Sequence, residues 1–180
     1  MTALVVALTG TDHHPFERMV HWIDAEALRH RDVRFVIQYG ASRPPTVADG
    51  YGFLTHDHLV AMLSEASVVV CHGGPGTIME ARDAGHVPLC VPRDPRLGEH
   101  VDGHQQRFAA AVAGAGVVVA ISSLETLHHE LDSALVAPAS VAATVTSRVR
   151  DDARARVAAE LDDLVARSPL RLVRPRRAPR

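Results

Sequence analysis

The feature of this sequence that most constrains its fold is a glycine-rich stretch that follows a run of aliphatic residues. The apolar run is 67–70 (Ser-Val-Val-Val), and the glycine turn, defined here as residues 73–77 (Gly-Gly-Pro-Gly-Thr), leads into a segment with helical character. Glycines let the backbone turn sharply and approach a ligand, and the first N–H groups of a helix have no intrahelical acceptor. The stretch therefore predicts an α/β fold, in which this turn either binds an anion or serves tight packing alone.

Glu80 follows Gly76 by one helical turn on the same predicted helix face. Its carboxylate can accept hydrogen bonds from paired sugar hydroxyls while the glycine turn holds a diphosphate. The combination favours a nucleotide-sugar site. Taken alone, Glu80 is more typical of a solvated helix carboxylate.

Length and composition limit the class of protein. The chain has 180 residues, 47% of them hydrophobic, which suits one α/β domain with a full core. Its formal net charge is −2 and all 19 basic residues are Arg, so no overall basic field makes nucleic acid an expected partner. The N-terminus has no basic residue before its apolar run and predicts a first strand instead of a signal peptide. We therefore expect a soluble, cytoplasmic domain.

Strand-like and helix-like segments alternate along most of the chain. We predict strands at 4–8, 33–39, 51–54, 67–71, 87–91 and 117–121, and helices at 15–30, 57–65, 76–84, 101–113 and 122–135. Such alternation of aliphatic strands with helices predicts a Rossmann-like parallel sheet of about six strands, covered by helices on both faces. The domain should span 1–137, with ligands bound beyond the carboxyl ends of the strands.

A narrow apolar stripe continues after Pro138 on an otherwise charged segment. It predicts a helical extension over 138–167, which either packs on the domain or meets another chain. The last residues, 168–180, are rich in Arg and Pro and predict a disordered tail. That tail is either simply solvated or attracted to an anionic membrane or an acidic partner.

Two further polar segments should lie at the same edge of the sheet as the glycine turn. They are 10–14 (Gly-Thr-Asp-His-His), after the first strand, and 98–106, after the fifth. The spacing of His100 and His104 is compatible with a metal site. In a continuous helix, however, Asp102 would point away from the face that the two histidines share, and no clear motif supplies a third ligand. We therefore expect no bound metal.

Three ordered motifs resemble the C-terminal, donor-binding domain of glycosyltransferase family 28. They are Cys-His-Gly-Gly-Pro-Gly-Thr-Ile-Met-Glu-Ala at 71–81, Gly-His-Val-Pro-Leu-Cys-Val-Pro-Arg at 85–93, and Glu-His-Val-Asp-Gly-His-Gln at 99–105. The resemblance covers roughly 3–135. It implies the C-terminal half of the GT-B architecture, in which two Rossmann-like halves face each other.

The resemblance implies that the chain binds a UDP-sugar. It assigns the ribose hydroxyls to Glu80, the sugar to His104 and Gln105, and the uracil to the loop at Phe53. The glycine turn and the turn after the first strand would hold the diphosphate. The implied binding residues are Gly10, Thr11, Phe53, His72, Gly73, Gly74, Gly76, Thr77, Glu80, His104 and Gln105.

Complete enzymes of this family also have an acceptor domain, which does not precede the first strand of this sequence. The resemblance is therefore nearest to stand-alone donor subunits of the dolichol-pathway and bacterial exopolysaccharide types, which pair with a membrane-associated acceptor subunit. It implies a hexosyltransferase that acts on a lipid-linked acceptor and docks its partner through the C-terminal helix. The main catalytic base should lie on that partner, with His13 a weaker candidate on this chain.

The sequence lacks an Asp-x-Asp metal motif in a donor-binding context. We therefore expect helix N–H groups, and no divalent cation or other cofactor, to assist the departure of UDP. Two alternatives stay open. One is a non-enzymatic, regulatory module that binds UDP-sugar, and the other is a homodimeric hydrolase or transferase that needs no partner.

Overall fold

The computed structural model describes residues 2–136 and residue 159. Its strands and helices lie in the first of the two units into which the chain divides, Met1–Thr144. Residue 159 excepted, the predicted extension over 138–167 and tail over 168–180 lie outside the described residues. None of the described helices is long and apolar enough to cross a membrane.

The described part of the chain forms one parallel sheet flanked by helices. The strands are β1 (Leu4–Leu8), β2 (Arg34–Gln38), β3 (Asp49–Tyr51), β4 (Val68–His72), β5 (Leu89–Val91) and β6 (Val119–Ala120). The helices are α1 (Glu17–Arg29), α2 (His56–Glu65), α3 (Pro75–Asp83), α4 (His104–Gly114) and α5 (Leu124–Val136), with a 3-10 turn at Pro95–Leu97. The sheet order is β3-β2-β1-β4-β5-β6, and every neighbouring pair is parallel. This confirms the predicted fold class.

The chain order reverses between β1 and β4, because β2 and β3 extend the sheet on one side and β5 and β6 on the other. In open parallel sheets a crevice forms at that reversal, beyond the carboxyl ends of the two strands. Here those ends are Leu8 and His72, and each leads into a segment that the sequence marks as a candidate site.

The core explains why β1 and β4 are almost wholly aliphatic. Successive strand residues point to opposite faces, so Val5 and Ala7 pack with α1 and α5 on one face while Val6 and Leu8 pack with α2 and α3 on the other. Because both faces are covered, neither strand shows the alternation of polar and apolar residues that marks a one-sided sheet.

Most elements differ from the predicted bounds by one or two residues at an end, and two elements, α4 and β3, differ by three. Helix α4 begins at His104 and not at Val101, because Gly98 adopts φ +72 at the end of the 3-10 turn and the chain becomes helical only after Gly103. Strand β3 is Asp49–Tyr51 instead of 51–54. It is an exposed edge strand held to β2 through its backbone, so its residues need not be apolar.

Candidate functional site

A cleft of about 610 Å³ lies at the carboxyl ends of β1 and β4. Its volume falls within the range of small-molecule sites, about 300 to 1,000 Å³. The predicted binding residues in its walls are Gly10, Thr11, Phe53, His72, Gly74, Gly76, Thr77, Glu80, His104 and Gln105. Further wall residues include Asp12, Gln38, Leu54, His56 and Leu59. The structure thus brings together segments from four loops that are distant in sequence.

The glycine turn opens α3 toward the cleft. Gly74 is the N-cap, Pro75 is the first helical residue, and the first helical hydrogen bond runs from the N–H of Ile78 to the oxygen of Gly74. The amides of Gly76 and Thr77 are therefore left at the open, positive end of the helix. A Cβ atom added at Gly76 would meet nothing within 4 Å, so the backbone there is bare on the side that a ligand would approach.

His72 supports the glycine turn from below. Its Nδ1 accepts a hydrogen bond from the N–H of Gly74 at 3.1 Å, and its Nε2 lies 3.2 Å from the Oγ1 of Thr77. Desolvation by burial, with a further contribution from the charge of Arg93, lowers the pKa of His72 to about 4. The ring is therefore neutral near pH 7, with its proton on the nitrogen that faces Thr77.

The His72 ring also explains two of the glycines in the cleft. A Cβ added at Gly10 would lie 2.4 Å from the Nε2 of His72, and one added at Gly74 would lie 2.1 Å from its Cε1. Gly10 also has φ +84, a conformation that L side chains rarely adopt. The ring thus fills the space between the turn after β1 and the turn after β4, and neither position can carry a side chain without a shift.

Gly73 is the predicted binding residue of the turn that does not line the cleft. It is buried, and a Cβ there would lie 2.9 Å from the Cβ of Gln105. Its surroundings indicate close packing against the start of α4. Gln105 is itself buried and sits 3.4 Å from the backbone N of Arg93 through its Oε1.

Glu80 and Phe53 lie in the wall formed by α3 and the loop after β3. The Glu80 carboxylate is half-exposed, and its nearest charged neighbour is the Nδ1 of His56 at 3.7 Å. Phe53 is 62% exposed although it is apolar. With Leu54 and Leu59 it adds apolar surface to the same cleft that the Glu80 side chain lines.

Two buried residues that the sequence analysis did not single out hold the loops in place. Gln38, at the end of β2, donates to the oxygens of Gly10 at 2.9 Å and Gly52 at 3.2 Å, and accepts from the N–H of Gly10 at 3.2 Å. Arg93 is 1% exposed. The sequence signal for Gln38 was a polar residue directly after the apolar run Phe-Val-Ile of β2.

Arg93 joins the loop after β1 to the loop after β5. Its guanidinium donates to the oxygens of Thr9, His14 and Glu99, each at 2.8 Å, and packs 4.8 Å from the Phe16 ring centre. Burial lowers the pKa of Arg93, whereas Asp12 and Glu99 raise it.

Arg18 reinforces the same junction. Its Nε and Nη2 atoms form a bidentate ion pair with the Glu99 carboxylate, at 2.9 and 2.8 Å. The Nη2 atom also donates to the oxygen of Pro92 at 2.9 Å. Side chains and backbone therefore hold these two walls of the cleft in one arrangement.

His13, the candidate base, lies outside the cleft walls and its side chain is 85% exposed. Its neighbour Asp12 does line the cleft and contacts His14 at 2.6 Å and His100 at 3.2 Å. Although desolvation opposes ionisation of Asp12, hydrogen bonds from His14 and the charge of Arg93 lower its pKa to about 2. Asp12 is therefore a fixed negative charge at the rim of the cleft.

The geometric reason for excluding a metal at His100 and His104 is wrong. It assumed a helix from Val101, whereas residues 100–103 precede α4. The Asp102 side chain instead turns toward His104, with its Oδ1 2.7 Å from the Nδ1 of that residue. His100 packs against the same His104 ring, at 4.6 Å between ring centres.

Comparison with known proteins gives one family and solved structures with a similar fold. The model of the glycosyltransferase family 28 C-terminal domain matches residues 7–161. A structure of the glycotransferase of kitacinnamycin has a TM-score of 0.56 and 24% identity, and covers 92% of this chain and 43% of that one. A structure of CalG4, the calicheamicin glycosyltransferase, has a TM-score of 0.52 and 16% identity with the same two coverages. The chain thus spans less than half the length of these proteins, and no curated protein matches it.

Proposed function

Since the chain belongs to the family of glycosyltransferase family 28 C-terminal domains, we propose that it is the UDP-sugar-binding subunit of a two-component glycosyltransferase. Its sheet is that of the C-terminal half of GT-B glycosyltransferases. The observation that carries the proposal is the cleft itself, in which an open helix N-terminus, a half-exposed carboxylate and an exposed aromatic ring line one cavity.

Each part of a UDP-sugar has a chemically matched wall. The amides of Gly76 and Thr77 suit the diphosphate, because the helix dipole and unpaired N–H groups favour an anion there. The Glu80 carboxylate is free to accept hydrogen bonds from the ribose hydroxyls, and Phe53 offers its face to the uracil. His104 and Gln105, which also line the cleft, are assigned to the sugar.

The proposed reaction transfers a hexose or an N-acetylhexosamine to a lipid-linked acceptor in glycan or polysaccharide assembly. An acceptor hydroxyl oxygen attacks the anomeric carbon, the bond from that carbon to the diphosphate oxygen breaks, and UDP leaves. The open end of α3 stabilises the negative charge that develops on the departing UDP, without a divalent cation. A base on the acceptor subunit takes the hydroxyl proton.

The proposed partner is an acceptor-binding subunit, which would supply the other of the two facing halves of the GT-B architecture. The chain spans less than half the length of the two solved glycosyltransferases that it resembles, and we propose that a second, membrane-associated subunit supplies the acceptor side of the cleft. We assign docking to the extension over 138–167, and place the complex at the cytoplasmic face of the membrane through that partner.

The decisive experiment has two stages. Calorimetric titration of the purified chain with UDP and a panel of UDP-sugars should give saturable binding, and Glu80→Ala should weaken it. Glu65→Ala is the matched control, because Glu65 is an exposed carboxylate at the far end of α2 and outside the cleft walls. Absence of UDP binding would refute the proposal.

The second stage tests catalysis with a co-expressed acceptor subunit and a radiolabelled UDP-sugar. Label should reach lipid only when both subunits are present. Binding without transfer under every combination would instead support a regulatory module. Release of UDP by the chain alone would support a self-sufficient enzyme.

A further inference from the structure

A cluster of imidazoles and carboxylates occupies the rim of the cleft, where the loops after β1 and β5 meet. Among the described residues, two sets bring three ligand atoms within 4.8 Å of one another: Asp12, His13 and His14, and His100, Asp102 and His104. The Oδ2 of Asp12 lies 3.2 Å from the Nε2 of His100 and so joins the two sets.

The hydrogen bonds of His100 indicate that a metal would bind its Nδ1, in place of the long bond that this nitrogen accepts from the Asp102 N–H. Its Nδ1 faces the backbone N–H of Asp102 at 3.5 Å and therefore acts as the acceptor. Its Nε2 then carries the proton and donates it to Asp12. A metal-binding histidine almost always donates its second nitrogen to a carboxylate or a carbonyl in this way, which fixes the ring and its tautomer.

The three side chains of the second set offer a nitrogen, oxygen, nitrogen donor set. We propose that His100, Asp102 and His104 bind a Zn²⁺ ion, and that Asp12 orients His100 as the carboxylate behind it. Two imidazoles and one carboxylate suit zinc, which binds such ligands at about 2.0 to 2.2 Å in a tetrahedron whose fourth position here stays open to water.

The charged side chains around the proposed zinc ligands are compatible with a bound cation. Asp102 and Asp12 are carboxylates, which are ordinarily ionised near neutral pH and so place negative charge beside the proposed ion. Zinc binds the neutral form of each imidazole. The guanidinium of Arg93 carries a positive charge that would disfavour a bound cation. Its two terminal nitrogens, however, already donate to backbone oxygens.

Binding requires two hydrogen bonds to open, the first being the 3.5 Å bond from the Asp102 N–H to the Nδ1 of His100. The Oδ1 of Asp102 and the Nδ1 of His104 are 2.7 Å apart, a hydrogen-bond distance that must open to admit an ion. Both side chains can move, because that of Asp102 is 58% exposed and that of His104 is 41% exposed. His100 is the fixed member, with a side chain only 11% exposed.

The proposed zinc site shares His104 with the lining of the cleft. If the proposed donor site is correct, zinc would draw the His104 ring away from the sugar, so the ion would regulate the subunit without being required for transfer. Zinc binding itself does not depend on that function and can be measured in the absence of any nucleotide.

The test uses the full-length chain without a polyhistidine tag, titrated with ZnCl₂ by calorimetry. We expect one ion per chain with a micromolar Kd, and a loss of at least about tenfold in affinity, about 1.4 kcal/mol, for His100→Gln and His104→Gln. His21→Gln and His129→Gln are matched controls, since both histidines are exposed on other helices. Cobalt should bind the same chain with the visible absorption of a four-coordinate ion.

Three variants distinguish the proposed zinc site from a purely structural role of Asp102 and from a zinc site at His13 and His14. Asp102 also accepts the backbone N–H of His104 at 2.8 Å, as in an Asx-turn, and Asn forms such turns as Asp does. Asp102→Asn should therefore keep the melting temperature while it weakens zinc binding. The proposal is overturned by absent zinc binding, by equal losses in the control variants, or by a loss confined to His13→Gln and His14→Gln.

Discussion

The Nδ1 of His72 accepts a hydrogen bond from the N–H of Gly74, so a buried imidazole at the end of β4 supports the turn that opens α3. Burial keeps this ring neutral, and neutrality leaves Nδ1 able to accept. The geometry of the candidate phosphate site therefore depends on a residue that contributes no charge to it.

Acidification should destabilise the protein through His72. The pKa of His72 is lowered from an ordinary 6.5 to about 4, so the unfolded chain binds more protons between these values. Stability is then fully present above about pH 6.5 and falls toward pH 4, by about 1.4 kcal/mol per pH unit at most. Urea unfolding measured from pH 7 to pH 4 should show this slope, and His72→Asn should flatten it. An unchanged slope in that variant would contradict the assignment.

Glu80→Ala should weaken UDP binding with little effect on folding. The carboxylate is half-exposed and its nearest charged neighbour is 3.7 Å away, so the folded chain loses little. Hydrogen bonds from a ligand to a charged group contribute about 1.5 to 3 kcal/mol. Calorimetry and thermal unfolding, with Glu65→Ala alongside, measure both effects. An unchanged affinity would remove Glu80 from the proposed site.

Gly74→Ala and Gly76→Ala should separate packing from ligand approach. At Gly74 the new methyl would lie 2.1 Å from the His72 ring, so we expect a loss of about 1 to 3 kcal/mol in unfolding free energy. At Gly76 it would meet no protein atom within 4 Å, so folding should be preserved while UDP binding weakens. Equal melting temperatures for the two variants would contradict the packing argument.

Arg93→Met should be among the most destabilising substitutions in the described chain. It removes the donors to the oxygens of Thr9, His14 and Glu99, all within a buried junction. Leaving buried polar groups unpaired costs about 1 to 3 kcal/mol each, so the total loss should exceed 3 kcal/mol. Arg96→Met is the control, because Arg96 is exposed and pairs only with Asp94 among the described residues. Equal urea midpoints for both variants would contradict the role assigned to Arg93.

The sheet was predictable because its central strands are buried on both faces. Runs such as 67–70 have no polar residue between their aliphatic side chains, and two-sided burial is the usual reason for that pattern. Strand β3 gave no such signal, since a three-residue edge strand depends on backbone pairing with β2.

The site was predictable in part. Glycines and helix starts identify the turn after β4, but nothing local indicates that Arg93 reaches back to Thr9, 84 residues earlier. The start of α4 was placed too early because Val101 is apolar, whereas Gly98 and Gly103 decide where the helix begins. Contacts between loops that are distant in sequence are set by the tertiary fold, so they produce no periodic pattern in the sequence.

Because the Arg93 guanidinium fastens the loop after β1 to the loop after β5, a ligand meets two walls that are already assembled. These two loops should therefore lose little conformational entropy when a ligand binds. The wall that carries Phe53 is held instead by the bond from Gln38 to Gly52 and by two backbone bonds, from the Tyr39 N–H to the Tyr51 oxygen and from the Gly40 N–H to the Gly52 oxygen. Since Phe53 is the residue proposed to meet the nucleobase, selectivity between nucleobases should respond to substitutions in that third wall.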